Sequence, residues 1–232
     1  MHIGVLCLLI ICTDMSMYQV LGIQKCLGYF ALLCFIVFGA LSFWRLPEVF
    51  SEFAAFWSVA KMAMGVSTVL LLGVGQTPLF PWLCKLPLVR KFFPPIDGDW
   101  QVTIRSNWNL VRQLTGQQAG DTLFTKQGKI TITSRLFSVR MKFQSDDKYS
   151  KSSTTIVGVR RDPEHGTIEL NYSYHNVTRN PELTDSGCHY GSARVEVHDE
   201  KEGVSLDGEY WTNRNWNKGL NTAGMIFFER LK

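Results

Sequence analysis

Residues Lys129–Phe143 read KITITSRLFSVRMKF, and the fold turns on how that stretch is read. KITITSR and SVRMKF both alternate with period two, the pattern of a strand that shows one face to a core and the other to solvent. The same alternation appears upstream in QVTIR and downstream in TIELNYSY and ARVEVH. Together these runs predict strands near 98–107, 127–135, 137–145, 152–161, 165–175, 189–198, 204–213 and 222–230. Turn chemistry separates them: Asp146-Asp147, Asp162 to Gly166, Asp199 to Gly203, and Asn215 to Gly219. No helical stretch long enough for a crossover lies between strands, which excludes a parallel sheet. The expected fold of residues 97–232 is therefore an all-β, eight-stranded antiparallel up-and-down barrel, whose closure removes vulnerable edges.

Upstream of the barrel the chain changes character. Residues 1–84 hold six charged side chains, Asp14, Lys25, Arg45, Glu48, Glu52 and Lys61, whereas residues 85–232 hold 38. The mean hydropathy near zero is thus the average of a very apolar third and a polar remainder, and a single soluble globule is excluded. Cys26 to Trp44 is a run of 19 uncharged residues, close to the roughly 20 that a helix needs to cross about 30 Å of hydrocarbon. A second uncharged run covers Met62 to Cys84. Pro78 and Pro81 disfavour helix at its end, so the second span is expected to stop near Gln76. The division predicted is a transmembrane α-helical hairpin in 1–84, with spans at about 24–45 and 56–77, a linker over 85–96, and the barrel.

Lys61 falls inside or at the edge of the second span, where its stem reaches the interface. Trp44, Trp57 and Trp82 stand near the expected ends, where amphipathic rings favour the headgroup level. Residues 1–13 are apolar but too short to span, and they lack the basic region and cleavage site of a secretory signal. Lys85, Arg90 and Lys91 follow the second span, while Arg45 sits with Glu48 and Glu52 in the connection. The positive-inside rule then places the barrel in the cytoplasm.

Several chemistries find no support. The net charge of +4 is too small, and too little clustered, for a nucleic-acid binder. The six cysteines show no CxxC spacing, and the five histidines no metal-ligand spacing, so neither a metal nor a disulfide framework is expected. There is no Gly-rich phosphate loop, His-Glu-x-x-His or Gly-x-Ser-x-Gly, and no catalytic residue or cofactor is assigned. The sequons at Asn171 and Asn176 are read as incidental. The barrel interior is more informative. Tyr172 and Tyr174 alternate with Asn171 and Ser173, and Tyr210, Thr212 and Arg214 share a face beyond Gly208, where a bulge or a close backbone approach is expected. Rings, a hydroxyl and a guanidinium on inward positions suit a polar, planar, anionic ligand. A packed tyrosine with an arginine capping the strand end remains the alternative.

The order of these features resembles a known family. Gly98-Asp-Trp100, Ser106-Asn-Trp108, Leu170-x-Tyr172-x-Tyr174-x-Asn176, His189-x-Gly191, Gly208-x-Tyr210-Trp-Thr212-Asn213-Arg214 and Gly224 to Arg230 follow two transmembrane spans. The chain is similar to the two-transmembrane β-barrel effectors of bacterial CBASS anti-phage systems. Gly-x-Trp at the opening of an eight-stranded barrel also resembles lipocalins.

The CBASS resemblance implies a cyclic-dinucleotide receptor barrel, a functional link to a nucleotide cyclase, homo-oligomerisation on activation and disruption of the inner-membrane lipid bilayer. On that basis Arg105, Arg140 and Arg214 are candidates for the phosphates, and Trp108, Tyr172, Tyr174 and Tyr210 for the bases, with Thr212 beside them. Small residues in the spans (Gly28, Gly39, Ala40, Ala60, Ala63, Gly65, Ser67) would let helices approach closely in an oligomer. A membrane-tethered, lipocalin-like carrier of an apolar ligand is the alternative. It would require the tyrosines and arginines to point outward.

Overall fold

The computed structural model describes residues 17–43, 52–120, 123–147, 149–179, 181, 186–200 and 203–231. The expectations for residues 1–13 and for Trp44, Arg45 and Glu48 lie outside the described residues, as do Lys201 and Glu202 of one turn.

Eight strands follow one another around a closed antiparallel barrel: β1 (Gly98–Ser106), β2 (Phe124–Arg135), β3 (Ser138–Ser145), β4 (Ser150–Arg161), β5 (Ile168–Thr178), β6 (Cys188–Glu200), β7 (Gly203–Thr212) and β8 (Ala223–Arg230). Each strand pairs with its neighbours in sequence, and β1 closes on β8 with Val102 opposite Phe228. The up-and-down barrel read from the alternation is the one observed. Gly208 brings no bulge. The β6–β7 register runs unbroken through it, and a Cβ there would lie 2.0 Å from the Arg194 carbonyl oxygen, so the close-approach reading is the correct one.

Helix α1 (Ile23–Ser42) and α2 (Phe53–Gly75) pack on each other, and both are long and apolar enough to cross a membrane. Ala63 and Ser67 are buried, whereas among the described residues beyond their own helix turn nothing lies within 4 Å of where a Cβ would stand at Gly28, Gly39 or Gly65. The second helix ends at Gly75, as the prolines predict, but a further short helix, α3 (Leu79–Leu83), then spans Pro81. Pro81 is its third residue, inside the first turn, where no N–H is required for the helical ladder. A single turn, α4 (Pro87–Arg90), completes the linker.

The interior divides along the barrel axis. At the end nearest the helices, Trp100, Ile132, Met141, Leu170, Val195, Leu206 and Phe228 are wholly buried and fill the floor. Trp100 Nε1–H donates to Ile96 O at 3.0 Å, and the Arg230 guanidinium stacks over the Trp100 ring at 4.4 Å while donating to Asp97 O. This floor accounts for the Gly98-x-Trp100 motif: the Trp is a structural plug whose polar edge is satisfied and whose face is covered by a cation.

The hairpin is bound to this floor through one residue of the β2–β3 turn. Leu136 N–H donates to Gly75 O at 2.8 Å, and Leu136 O accepts from Tyr18 N–H at 3.1 Å. Tyr18 belongs to a 3₁₀ turn, Met17–Val20, that packs on β4. There β3 and β4 are registered over Lys142–Ser153, Phe143–Ser152 and Gln144–Lys151, after which Thr154 Oγ1 takes the Met141 N–H and β4 bulges between Thr154 and Ile156. Met17, wholly buried, joins the barrel core beside this short seam.

Candidate functional site

The far half of the barrel is open and holds a cavity of about 490 Å³. That volume lies within the range of small-molecule sites, and eight strands leave room for one small ligand. Strand alternation sets its lining. Tyr172 and Tyr174 share the inward face of β5 with Asn176 and Thr178, and Tyr210 shares that of β7 with Thr212. The Tyr172 and Tyr174 rings are 6.1 Å apart and tilted by 45°.

Burial pushes all three phenols up in pKa, so they stay neutral and keep their O–H donors. For Tyr210 the Ser106 and Thr222 hydroxyls act in the opposite direction without reversing the shift. Asn176 is buried and its amide donates to Ser152 Oγ at 2.8 Å, so its sequon is part of the cavity wall. Thr212 Oγ1 lies 3.0 Å from Thr222 Oγ1 and accepts the Thr222 N–H at 3.1 Å, which ties the base of the β7–β8 connection.

The mouth is cationic. Arg214 follows β7, and its Cζ lies 4.1 Å from the centre of the Trp108 ring, a close cation–π contact. Trp108 begins α5 (Trp108–Leu114), a helix in the β1–β2 connection that the strand pattern did not predict. Asn107 anchors it to β8 by accepting the Ala223 N–H at 3.0 Å and donating its own N–H to Ala223 O. Arg112 of this helix also lines the cavity, with its Nε–H on Gln117 Oε1 at 3.2 Å.

Lys126 enters from β2, over the Tyr149 ring and 3.1 Å from Asp147. Burial works to raise the Asp147 pKa, but the Ser145 hydroxyl, the Tyr149 N–H and Lys126 outweigh it and hold the carboxyl below its usual range. His189 lines the wall as well, pushed down to about 4 by burial and by neighbouring His175, so it is neutral near pH 7.

Of the residues singled out in the sequence, Trp108, Tyr172, Tyr174, Tyr210, Thr212 and Arg214 converge on this cavity. Arg105 and Arg140 do not. Ile104 and Ser106 face inward on β1, so Arg105 is turned out, where it stacks over Phe227 at 5.3 Å. Val139 and Met141 are the inward residues of β3, which leaves Arg140 on the solvent face. The cations present are instead Lys126 and Arg112, together with Arg214. Lys126 was legible in principle. It shares the phase of Ile130 and Ile132, but the strand begins at Phe124, three residues before the expected start. Among the described residues no group of three or more His, Cys, Asp or Glu side chains is placed to hold a metal ion.

Comparison with known proteins bears on this half of the chain. The family description that matches residues 92–230 is "Cap15, cyclic dinucleotide receptor domain". A relative, "CD-NTase-associated protein 15" of Escherichia albertii, is 31% identical over 139 residues, which cover 60% of this chain and 63% of the relative. The match therefore spans somewhat less than two thirds of that protein's length.

Proposed function

The chain belongs to the Cap15 cyclic dinucleotide receptor family, matched over residues 92–230, and from that premise we propose that it is a membrane-anchored sensor whose barrel cavity binds a cyclic dinucleotide. One observation supports this reading above the others: a cavity of about 490 Å³ places three neutral tyrosines on its walls and Lys126, Arg112 and Arg214 toward its mouth. A cyclic dinucleotide presents two planar bases and two anionic phosphates. The rings offer stacking surfaces, and the cations offer charge-assisted hydrogen bonds to phosphate oxygens. Asn176, Thr212 and Thr222 supply donors and acceptors for base edges. An apolar cargo would draw no charge-assisted hydrogen bond from Lys126, Arg112 or Arg214, which disfavours the lipid-carrier alternative.

The proposal extends to the rest of the chain. Helices α1 and α2 form a hairpin in the bacterial inner membrane, with the barrel in the cytoplasm beside a nucleotide cyclase that supplies the ligand. Binding drives self-association, and the assembled hairpins disrupt the bilayer. Gly28, Gly39 and Gly65 support close helix approach, because none of the described residues fills the space beside them. The protein acts as an effector without catalysis of its own.

Reconstitution of the full chain into dye-loaded phospholipid vesicles tests this sequence of events. A cyclic dinucleotide is expected to release the dye, and the corresponding linear dinucleotide is not. Ligand binding without release would separate sensing from membrane disruption and remove the effector step.

A further inference from the structure

Residues 79–92 form a two-faced layer between the barrel floor and the end of the helical hairpin. On one face Phe80 and Cys84 are buried in the barrel core, together with Phe93 just beyond, and the Phe80 and Phe93 rings meet edge to face at 5.5 Å. The opposite face is apolar and uncovered. Leu79, Trp82, Leu86 and Phe92 are exposed, and Leu88 is 84% exposed. The segment is held in this attitude from the barrel side: Arg90 Nε–H donates to Asp199 at 2.8 Å, and Arg161 Nη2–H donates to Lys91 O at 2.8 Å. These contacts fix which face is turned away from the barrel.

Charge and position identify what that face meets. Lys85 and Lys91 are exposed, and from Phe53 to Ile96 there is no Asp or Glu. Helix α2 stops at Gly75, four residues before Leu79, so the layer begins where the second apolar helix ends. An exposed Trp, leucines and lysines in a stretch that holds no Asp or Glu match the composition that seats a segment at headgroup level. Apolar burial there adds to the electrostatic attraction between basic side chains and an anionic surface.

We propose that residues 79–92 are a peripheral lipid-binding collar, whose outward face lies in the headgroup layer of the leaflet that the hairpin enters and takes up anionic phospholipid. This rests on the reading of α1 and α2 as a membrane hairpin. The collar gives the barrel a second attachment, so that the floor stands against the bilayer and the cavity mouth faces away from it.

The full chain, with Cys7, Cys12, Cys26, Cys34 and Cys188 changed to serine and buried Cys84 retained, is labelled with an environment-sensitive fluorophore at Leu88→Cys or at Phe35→Cys in α1. It is reconstituted in vesicles of phosphatidylcholine alone or mixed with phosphatidylglycerol. The proposal expects the Leu88 probe to lose most of its emission to a headgroup-level nitroxide lipid and little to a deep one, with stronger quenching when phosphatidylglycerol is present. The Phe35 probe should respond to the deep nitroxide. Lys85→Gln with Lys91→Gln should abolish the phosphatidylglycerol effect at Leu88 and leave Phe35 unchanged.

A Leu88 probe that stays water-exposed beside a quenched Phe35 probe overturns the collar and leaves the hairpin standing. Protection at Leu88 that appears only at high protein-to-lipid ratio assigns the face to a second copy, and also overturns it. Failure of both probes to sense lipid removes the hairpin reading together with the collar.

Discussion

A Cβ at position 191 would stand 2.3 Å from Tyr174 Cζ, so the Tyr174 ring occupies space that only glycine leaves free on the facing strand. That exchange explains why His189-x-Gly191 on β6 accompanies Tyr172-x-Tyr174 on β5: the pair of motifs makes one ring platform. Tyr174→Ala is expected to weaken cyclic dinucleotide binding by about 1–3 kcal/mol, roughly 5- to 150-fold in Kd. Arg105→Ala, on the outer wall, should leave Kd unchanged, and titration calorimetry on the two variants distinguishes the faces.

The tyrosines were legible in the sequence because they alternate with Asn171 and Ser173, which marks a strand with a polar, ring-bearing side. Arg105 and Arg140 were misread because charge alone does not give strand phase, and a shift of one residue exchanges the faces. His189 adds a pH prediction. Its folded pKa, about 4, lies below the ordinary value near 6.5. Below pH 6.5 the unfolded chain therefore binds the proton first, and the histidine's contribution to stability falls progressively toward pH 4. Thermal melts should show a steeper loss of Tm across that window in the wild type than in His189→Gln.

At the scale of elements, the 3₁₀ turn Met17–Val20 behaves as part of the barrel although it precedes the first apolar helix. It packs beside the seam where β3 and β4 lose their pairing, and Met17 lies in the core. Met17→Ala is expected to destabilise the barrel by about 2–5 kcal/mol, the usual cost of deleting a buried side chain of that size. A melt of the full chain in detergent, followed by near-ultraviolet circular dichroism, measures it.

Nothing local in MYQV announces this role, since its partners are more than a hundred residues away and the pairing depends on a gap in the sheet. The strands themselves were legible, each having a period-two face. Helix α5 was not, because Trp108–Leu114 is too short for a helical period to stand out and is held by Asn107 bridging to Ala223. The Pro81 helix illustrates the opposite limit: proline ends a long helix but is tolerated in the first turn of a new one.

Over the whole molecule, the charge split visible along the sequence becomes a division in space. Helices α1 and α2 come from the charge-poor third, and the barrel meets that third through Leu136, Gly75 and Tyr18 with its apolar floor toward the helices. The polar cavity opens at the other end, in the half of the barrel where the β1–β2 and β7–β8 connections meet. This arrangement keeps the cavity open to solvent while the floor stays against the helices. The β2–β3 turn, bonded to Gly75 and Tyr18, joins two strands that line the cavity with Lys126 and Phe143.

The central claim is that the cavity is a cyclic dinucleotide site, and calorimetric titration of the detergent-solubilised full chain with a panel of cyclic dinucleotides tests it most directly. The account predicts saturable binding of at least one member, lost in Tyr172→Ala/Tyr174→Ala while the variant still melts cooperatively. A folded wild-type chain that binds none of the panel, or a double variant that binds as tightly as the wild type, would contradict it.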